Sequence, residues 1–306
     1  MPHRCPRNKR TAGARLALTA ACAAGLGGCS GGVLDPAGPV GANDAIILID
    51  ATLIMLGIII PTLAIAFWMA WRYRASNTKA EYLPYWSYSG RIEAVVWSIP
   101  ILTIMFIGGV IWIGSYRLDP FRPLPSKTPP LEVQVVSLDW KWLFIYPQQG
   151  IATVNQVVVP AGVPVRFSIT SASVFNVFFI PRLGSMIYAM PGMISQVNLQ
   201  ADRPAVLLGQ SSHFSGDGFS DMQFQVHSVT PAQFNAWAQS VRSAGPVLDR
   251  TTYAGLARQS QRVGAFSYRA VDPQLFHAVA LQHVAPGPGP EPPSPARQEV
   301  AQGGGR

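Results

Sequence analysis

Two uninterrupted apolar runs constrain this chain more than anything else in it. Ala45–Trp71, "AIILIDATLIMLGIIIPTLAIAFWMAW", holds 27 residues with one charge, Asp50. Ala94–Ser115, "AVVWSIPILTIMFIGGVIWIGS", holds 22 residues with none. About 20 apolar residues suffice for a helix to cross the hydrocarbon of a bilayer. Both runs are therefore expected to be transmembrane helices, paired as a hairpin. Pro61 and Pro100 are tolerable there, because packing neighbours repair the interrupted backbone. Trp68, Trp71, Trp97 and Trp112 suit the interfacial belts, and Asp50 lies close enough to one end of its run to meet water. Charged residues make up only 12% of the 306 residues, well below the share in an ordinary soluble domain.

Basic residues orient the hairpin. The connection 72–93 carries Arg72, Arg74, Lys79 and Arg91, whereas residues 30–44 carry no Lys or Arg. The positive-inside rule places the connection in the cytoplasm, and both outer ends in the periplasm. The formal charge is +8, but Arg4, Arg7, Lys9, Arg10 and Arg15 supply five of the positives. The remaining excess of +3 is too small to argue for nucleic acid. Residues 1–28 read as a secretory leader, with a basic start and an apolar stretch from Leu16. The run "LGGC" resembles a bacterial lipoprotein signal, which implies a diacylated Cys29 and an external N-terminus. That agrees with the orientation drawn from charge.

Residues 29–44 form a short external segment, and 116–130 a Pro-rich linker. Over 131–230 come about seven short runs rich in Val, Ile and Phe, among them "LEVQVVSLDWKWLFIYP", "VPVRFSIT" and "MQFQVHSV", broken by Pro, Gly, Ser and Asp. This pattern predicts an all-β sandwich. Residues 231–284 read as a helical extension, since "PAQFNAWAQSVRSAG" spaces its apolar residues three to four apart. Residues 285–306 have the composition of a disordered tail. The three cysteines, Cys5, Cys22 and Cys29, all lie in the first thirty residues. No disulfide framework or thiolate metal site is available to the sandwich.

Three stretches carry a family resemblance: "RIEAVVWSIPIL" (91–102), "SLDWKWLFIYP" (137–147) and "SASVFNVFFIPRLGSMIYAMPGM" (171–193). Together with two spans ahead of a β-sandwich, they resemble subunit II of the haem–copper terminal oxidases. The resemblance implies a cupredoxin-like Greek-key sandwich. In the cytochrome c-oxidising members that fold holds a dinuclear copper centre, with thiolates, imidazoles and a thioether as ligands, a soft donor set suited to copper. Matched position by position, the first His becomes Asn176, the two Cys become Ser211 and Ser215, and the later His becomes Phe219. The position whose carbonyl is a ligand is His213, and only Met222 is kept. The expectation is no metal and no catalytic residue in this chain.

Loss of the ligands with the loop length kept resembles the bo-type ubiquinol oxidases. That implies a complex in a bacterial inner membrane that oxidises ubiquinol, reduces oxygen and pumps protons. Its haems and copper are expected in subunit I, with smaller membrane subunits and lipid as further partners. By the same resemblance Glu93 sits at the mouth of a proton-uptake pathway. Read from the residues alone, it is a helix N-terminal carboxylate that complements the dipole. Trp140, Trp142 and Phe144 are expected in the sandwich core and at the boundary with subunit I. His213 reads as an exposed loop side chain, and His227, His277 and His283 have no ligand spacing. Two alternatives stay open: a copper-bearing cytochrome c oxidase subunit II, and a stand-alone membrane lipoprotein with a β-sandwich binding module.

Overall fold

A computed structural model describes residues 32–81, 83–285 and 287. The leader, Cys29 and most of the tail lie outside the described residues. Helix α1 spans Pro39–Arg72 and α2 spans Gly90–Arg117, both uninterrupted through their prolines. Their apolar side chains are largely exposed within this one chain, as expected of surfaces that face lipid or other spans. The two helices touch tightly at one level, where a Cβ on Gly114 would lie 2.8 Å from Ile47 Cδ1.

Each helix outruns its apolar stretch, and α1 does so with a purpose. It starts six residues before Ala45, with Pro39 in the first turn, where a missing N–H costs nothing. Those extra residues belong to the sandwich. Val40 among them, and Ala37 two residues before the helix, are buried in its main core. The amides of Ala37 and Gly41 donate to Arg182 O (2.7 Å) and Leu183 O (2.9 Å), and Asp202 N donates to Ala37 O (2.9 Å). Arg182 clasps Asp35 with a 2.6 Å ion pair and a bond to its carbonyl.

Ten strands follow: β1 (Leu131–Leu138), β2 (Lys141–Tyr146), β3 (Ile151–Val154), β4 (Gln156–Pro160), β5 (Val165–Ser171), β6 (Asn176–Phe179), β7 (Ile187–Ala189), β8 (Ser195–Leu199), β9 (Ala205–Ser211) and β10 (Gln223–Val229). They are more numerous than the seven sequence runs because one long run folds back as a hairpin and the short β3 and β7 lie outside the runs. "LEVQVVSLDWKWLFIYP" is β1 and β2, paired antiparallel from Gln134–Ile145 to Leu138–Lys141. One sheet has the order β3-β2-β1-β5-β8, and the other β4-β10-β9-β6-β7. Pairs β1–β5 and β4–β10 are parallel and the remaining neighbours antiparallel. Between the sheets lie Val133, Val135, Trp142, Phe144, Phe167, Phe178 and Phe224.

The segment after Val229 has the expected helices and adds three short strands. It holds α3 (Pro231–Ser243), β11 (Val247–Leu248), α4 (Arg250–Leu256), β12 (Phe266–Tyr268), β13 (Ala270–Val271) and α5 (Leu275–Ala280). Thr230 and Gln233 form a capping box at the start of α3, which buries Phe234, Ala238 and Val241 on one face. Strand β12 joins the edge of the first sheet beside β3. Tyr253, Leu275, Phe276 and Val279 build a second core on that sheet's outer face, against Val136, Leu138, Leu143 and Ile145. This explains why "WLFIY" is apolar without alternation: the strand is covered on both sides.

Candidate functional site

The loop 212–222 joins β9 to β10 and includes a short 3-10 turn at Phe219–Asp221. Its ends are closed by the β9–β10 pairing, which runs from Gln210–Gln223 to Ala205–Ser228. Ser211 N then donates to Met222 O at 3.1 Å. Four of the six positions singled out in the sequence meet here. Asn176, at the start of β6, is 1% exposed, Ser211 5%, Ser215 6% and Met222 1%. The other two turn away. His213 is exposed with its ring edge on Phe175 at 5.0 Å, and Phe219 pairs with the exposed Phe214 at 5.7 Å.

The buried polar atoms satisfy one another. Ser211 Oγ donates to Asn176 Oδ1 (3.1 Å), and Asn176 Nδ2 donates to Ser137 Oγ (2.8 Å). Ser215 Oγ approaches Met222 Sδ at 4.0 Å. Two participants were not legible in the sequence, Ser137 and Trp140. Both sit at the β1–β2 hairpin, far from the loop in the chain and in the other sheet, and only the packing of the two sheets brings them to it. Trp140 occupies a two-residue turn with φ +63°, a left-handed conformation costly for a bulky residue. Two contacts hold it there. Its Nε1 donates to Ser215 O at 3.0 Å, and its ring covers Gly218 so closely that a Cβ would lie 2.4 Å away. The hairpin is thereby locked onto the loop.

Beside Trp140, Lys141 is only 1% exposed. Its Nζ donates to Arg258 O (2.7 Å), Ser260 Oγ (2.7 Å) and Asp139 O (3.4 Å). Burial lowers its pKa to about 8, partly opposed by the charge of Asp139. Three acceptors match the three protons of an ammonium, so Lys141 pins the 258–260 segment to the sandwich. Arg262 adds an ion pair to Asp221 at 3.3 Å. The C-terminal segment thus crosses both the hairpin and the loop.

The residues present do not fit a dinuclear copper centre. Two thiolates and two imidazoles would have to face one another here. Instead there is an amide, two hydroxyls and one thioether, already bonded among themselves. Among the described residues no group of three or more His, Cys, Asp or Glu side chains could hold a metal ion. What the arrangement can do is brace β1, β6 and the loop against one another. Asn176→Leu would strip Ser137 Oγ of its donor and leave Ser211 Oγ only the longer bond to His213 O at 3.4 Å, an expected loss of about 1–3 kcal/mol. Thermal unfolding of the assembled protein would measure it, and Asn176→Leu unfolding like the parent would show the network to be idle.

Glu93 is not part of this site. It lies in the first turn of α2, exposed, with its amide bonded to Ser89 O at 3.0 Å. At 1.5 Å per residue it is about 36 Å along α2 from Arg117, where the chain turns into the sandwich linker.

Residues 103–229 match the family described as "Cytochrome C oxidase subunit II, periplasmic domain", and 242–287 match "COX Aromatic Rich Motif". The chain is 47% identical over 260 residues to "Ubiquinol oxidase subunit 2" of Acetobacter aceti, covering 84% of each chain. It is 46% identical over 258 residues to "Cytochrome bo(3) ubiquinol oxidase subunit 2" of Pseudomonas aeruginosa, covering 84% of this chain and 78% of that one. Among solved structures, the periplasmic domain of subunit II of cytochrome oxidase from Bradyrhizobium japonicum is similar with a TM-score of 0.36 and 23% identity, over 37% of this chain and 94% of that chain. With two membrane-span-like helices, a cupredoxin-like domain and relatives this similar over most of their length, the chain belongs to the subunit II family of haem–copper terminal oxidases, in its ubiquinol oxidase group.

Proposed function

We propose that this chain is the copper-free subunit II of a proton-pumping, bo-type ubiquinol oxidase in a bacterial inner membrane. The observation that carries the reading is the loop 211–222. Its geometry is that of a braced turn, and the single soft donor at its centre, the Met222 thioether, is too little to hold a redox metal. A water-soluble electron donor has no acceptor in this chain. Electrons from a membrane-soluble quinol need none, since the haems and copper belong to subunit I. The chain's own work is structural. It packs α1 and α2 beside subunit I and holds the sandwich over that subunit's periplasmic face, together with the smaller membrane subunits. A diacylated Cys29 would add a lipid anchor at the outer leaflet.

Glu93 is the one residue to which we assign a part in proton movement. An exposed carboxylate at the cytoplasmic end of α2 can take protons from bulk water and pass them to a pathway in subunit I. The complex, extracted gently and assayed with ubiquinol and with reduced cytochrome c, should show a haem spectrum and turn over only with ubiquinol. Haem-free material with no multi-span partner would overturn the reading. Glu93→Ala should slow turnover or proton uptake while the haem content stays at the parent level. Unchanged steady-state and single-turnover kinetics would remove Glu93 from the pathway.

A further inference from the structure

Where α2 gives way to the linker, the structure holds two adjoining cavities of about 580 and 500 Å³. They share Asp119, Pro120 and Arg122. Trp112 and Tyr116 line the first, on the last turns of α2. Arg117 lines the second together with Arg122, beneath the edge of the sandwich at Asn198 and Gln200. The walls are built rather than loose. Asn198 donates twice to Pro120 O, at 3.1 Å from its amide and 3.0 Å from its side chain, which ties the linker to β8. Neither Arg117 nor Arg122 makes an ion pair or a side-chain hydrogen bond with another described residue.

We propose that these cavities bind one anionic phospholipid of the outer leaflet, such as phosphatidylglycerol, with its phosphate between Arg117 and Arg122. The 500 Å³ cavity is lined by two arginines and one acidic residue, Asp119, whose Oδ1 already accepts from Phe121 N at 3.0 Å. A net positive cavity selects a net negative ligand, and guanidinium matches phosphate geometry. Direction fits as well. Arg117 ends α2 at the periplasmic surface, so a phosphate there sits at headgroup depth. Acyl chains then run down α2 along Trp112 and Tyr116, aromatic residues of the kind that mark this level of a bilayer. Arg117 also borders a smaller cavity with Asp50, one helical turn or more deeper in the span. A carboxylate on that side discourages a phosphate from sinking further and favours the outer position.

Native mass spectrometry of the detergent-purified complex, supplied with equal amounts of dioleoyl phosphatidylglycerol and dioleoyl phosphatidylethanolamine, tests this. The parent should retain phosphatidylglycerol in preference. A juxtamembrane basic residue contributes about 1 kcal/mol to holding an anionic lipid, or about fivefold in binding. Arg117→Gln and Arg122→Gln should each lower retention about fivefold, and the double variant about 30-fold. Asp119→Asn should raise it. Arg74→Gln, at the cytoplasmic end of α1, should leave it unchanged. Equal retention of the two lipids by the parent would overturn the proposal. So would parent-like retention in the double variant, or a fall rather than a rise in Asp119→Asn. Arg117 and Arg122 belong to this chain, so the change in their variants is read whether or not haem copurifies, and failure here and failure of the oxidase reading are separate results.

Discussion

Gly38→Val is expected to unseat the start of α1 from the sandwich, whereas Gly57→Val in the same helix should change almost nothing. A Cβ at Gly38 would lie 1.8 Å from Gln200 O and 3.0 Å from the carbonyl carbon behind it. Both are backbone atoms at the end of β8, so no side-chain rotation relieves the overlap. Gly38 has φ −154°, an ordinary extended value, so space alone demands glycine there. Gly41 repeats the argument at 2.8 Å from Arg182 O, while nothing lies within 4 Å of a Cβ on Gly57. Overpacking usually costs 1–3 kcal/mol, and overlap with fixed backbone belongs at the top of that range, about 3 kcal/mol. At 1.4 kcal/mol per tenfold, that is about 100-fold. Hydrogen exchange reads it directly. The amides of Ala37 and Gly41, which donate to Arg182 O and Leu183 O, should exchange about 100-fold faster in Gly38→Val and at the parent rate in Gly57→Val. Unchanged protection in Gly38→Val would mean that the junction tolerates the side chain. The ion pair between Asp35 and Arg182 contributes less, because half of the Asp35 side chain is in water.

Trp142→Ala should be the most destabilising single truncation in the sandwich. Trp142 is fully buried, with its ring edge-on to Phe178 at 5.6 Å and to Phe224 at 5.7 Å. Phe178 and Phe224 stack at 5.3 Å, and Phe144 leans on Phe224 at 5.0 Å. Removing the indole opens a cavity under three rings that cannot all collapse into it. The expected loss is about 3–5 kcal/mol, a large part of the 5–15 kcal/mol that holds a typical domain together. Phe214→Ala is the control. That ring is 73% exposed, and its removal should cost within about 0.5 kcal/mol. Thermal unfolding followed by circular dichroism would compare the two. Similar midpoints would mean that the aromatic cluster does not carry the core.

Much of this was legible in the residues. The two spans and the alternating runs of "LEVQV" and "MQFQVHSV" come through because hydrophobic period is a local property. The aromatics of "DWKWLFIY" are core residues, as expected. The four buried positions of the loop were identifiable only through the resemblance, as the places where the family's copper ligands stand. The role of Ser137 and Trp140 was not. A serine and a tryptophan in a hairpin look ordinary until the packing of the two sheets sets Ser137 against Asn176 and Trp140 over Gly218. The helical pattern of "PAQFNAWAQSVRSAG" is α3 in the structure. The short strands of the C-terminal segment were invisible, because "FSY" and "AV" are too brief to show a period and form only against the edges that accept them.

What the sequence determined by itself is the membrane hairpin and the lack of thiols in the sandwich, since both depend only on which residues are present and in what order. Tertiary structure decided the rest. It seated the start of α1 in the sandwich, because Val40, and Ala37 just before the helix, find apolar neighbours only in a pocket formed by residues around 183 and 200. It also made the loop 211–222 a closed brace rather than an open ligand set. A buried hydroxyl or amide must find a partner or lose several hydrogen-bond equivalents, and the partners here come from strands far apart in the chain.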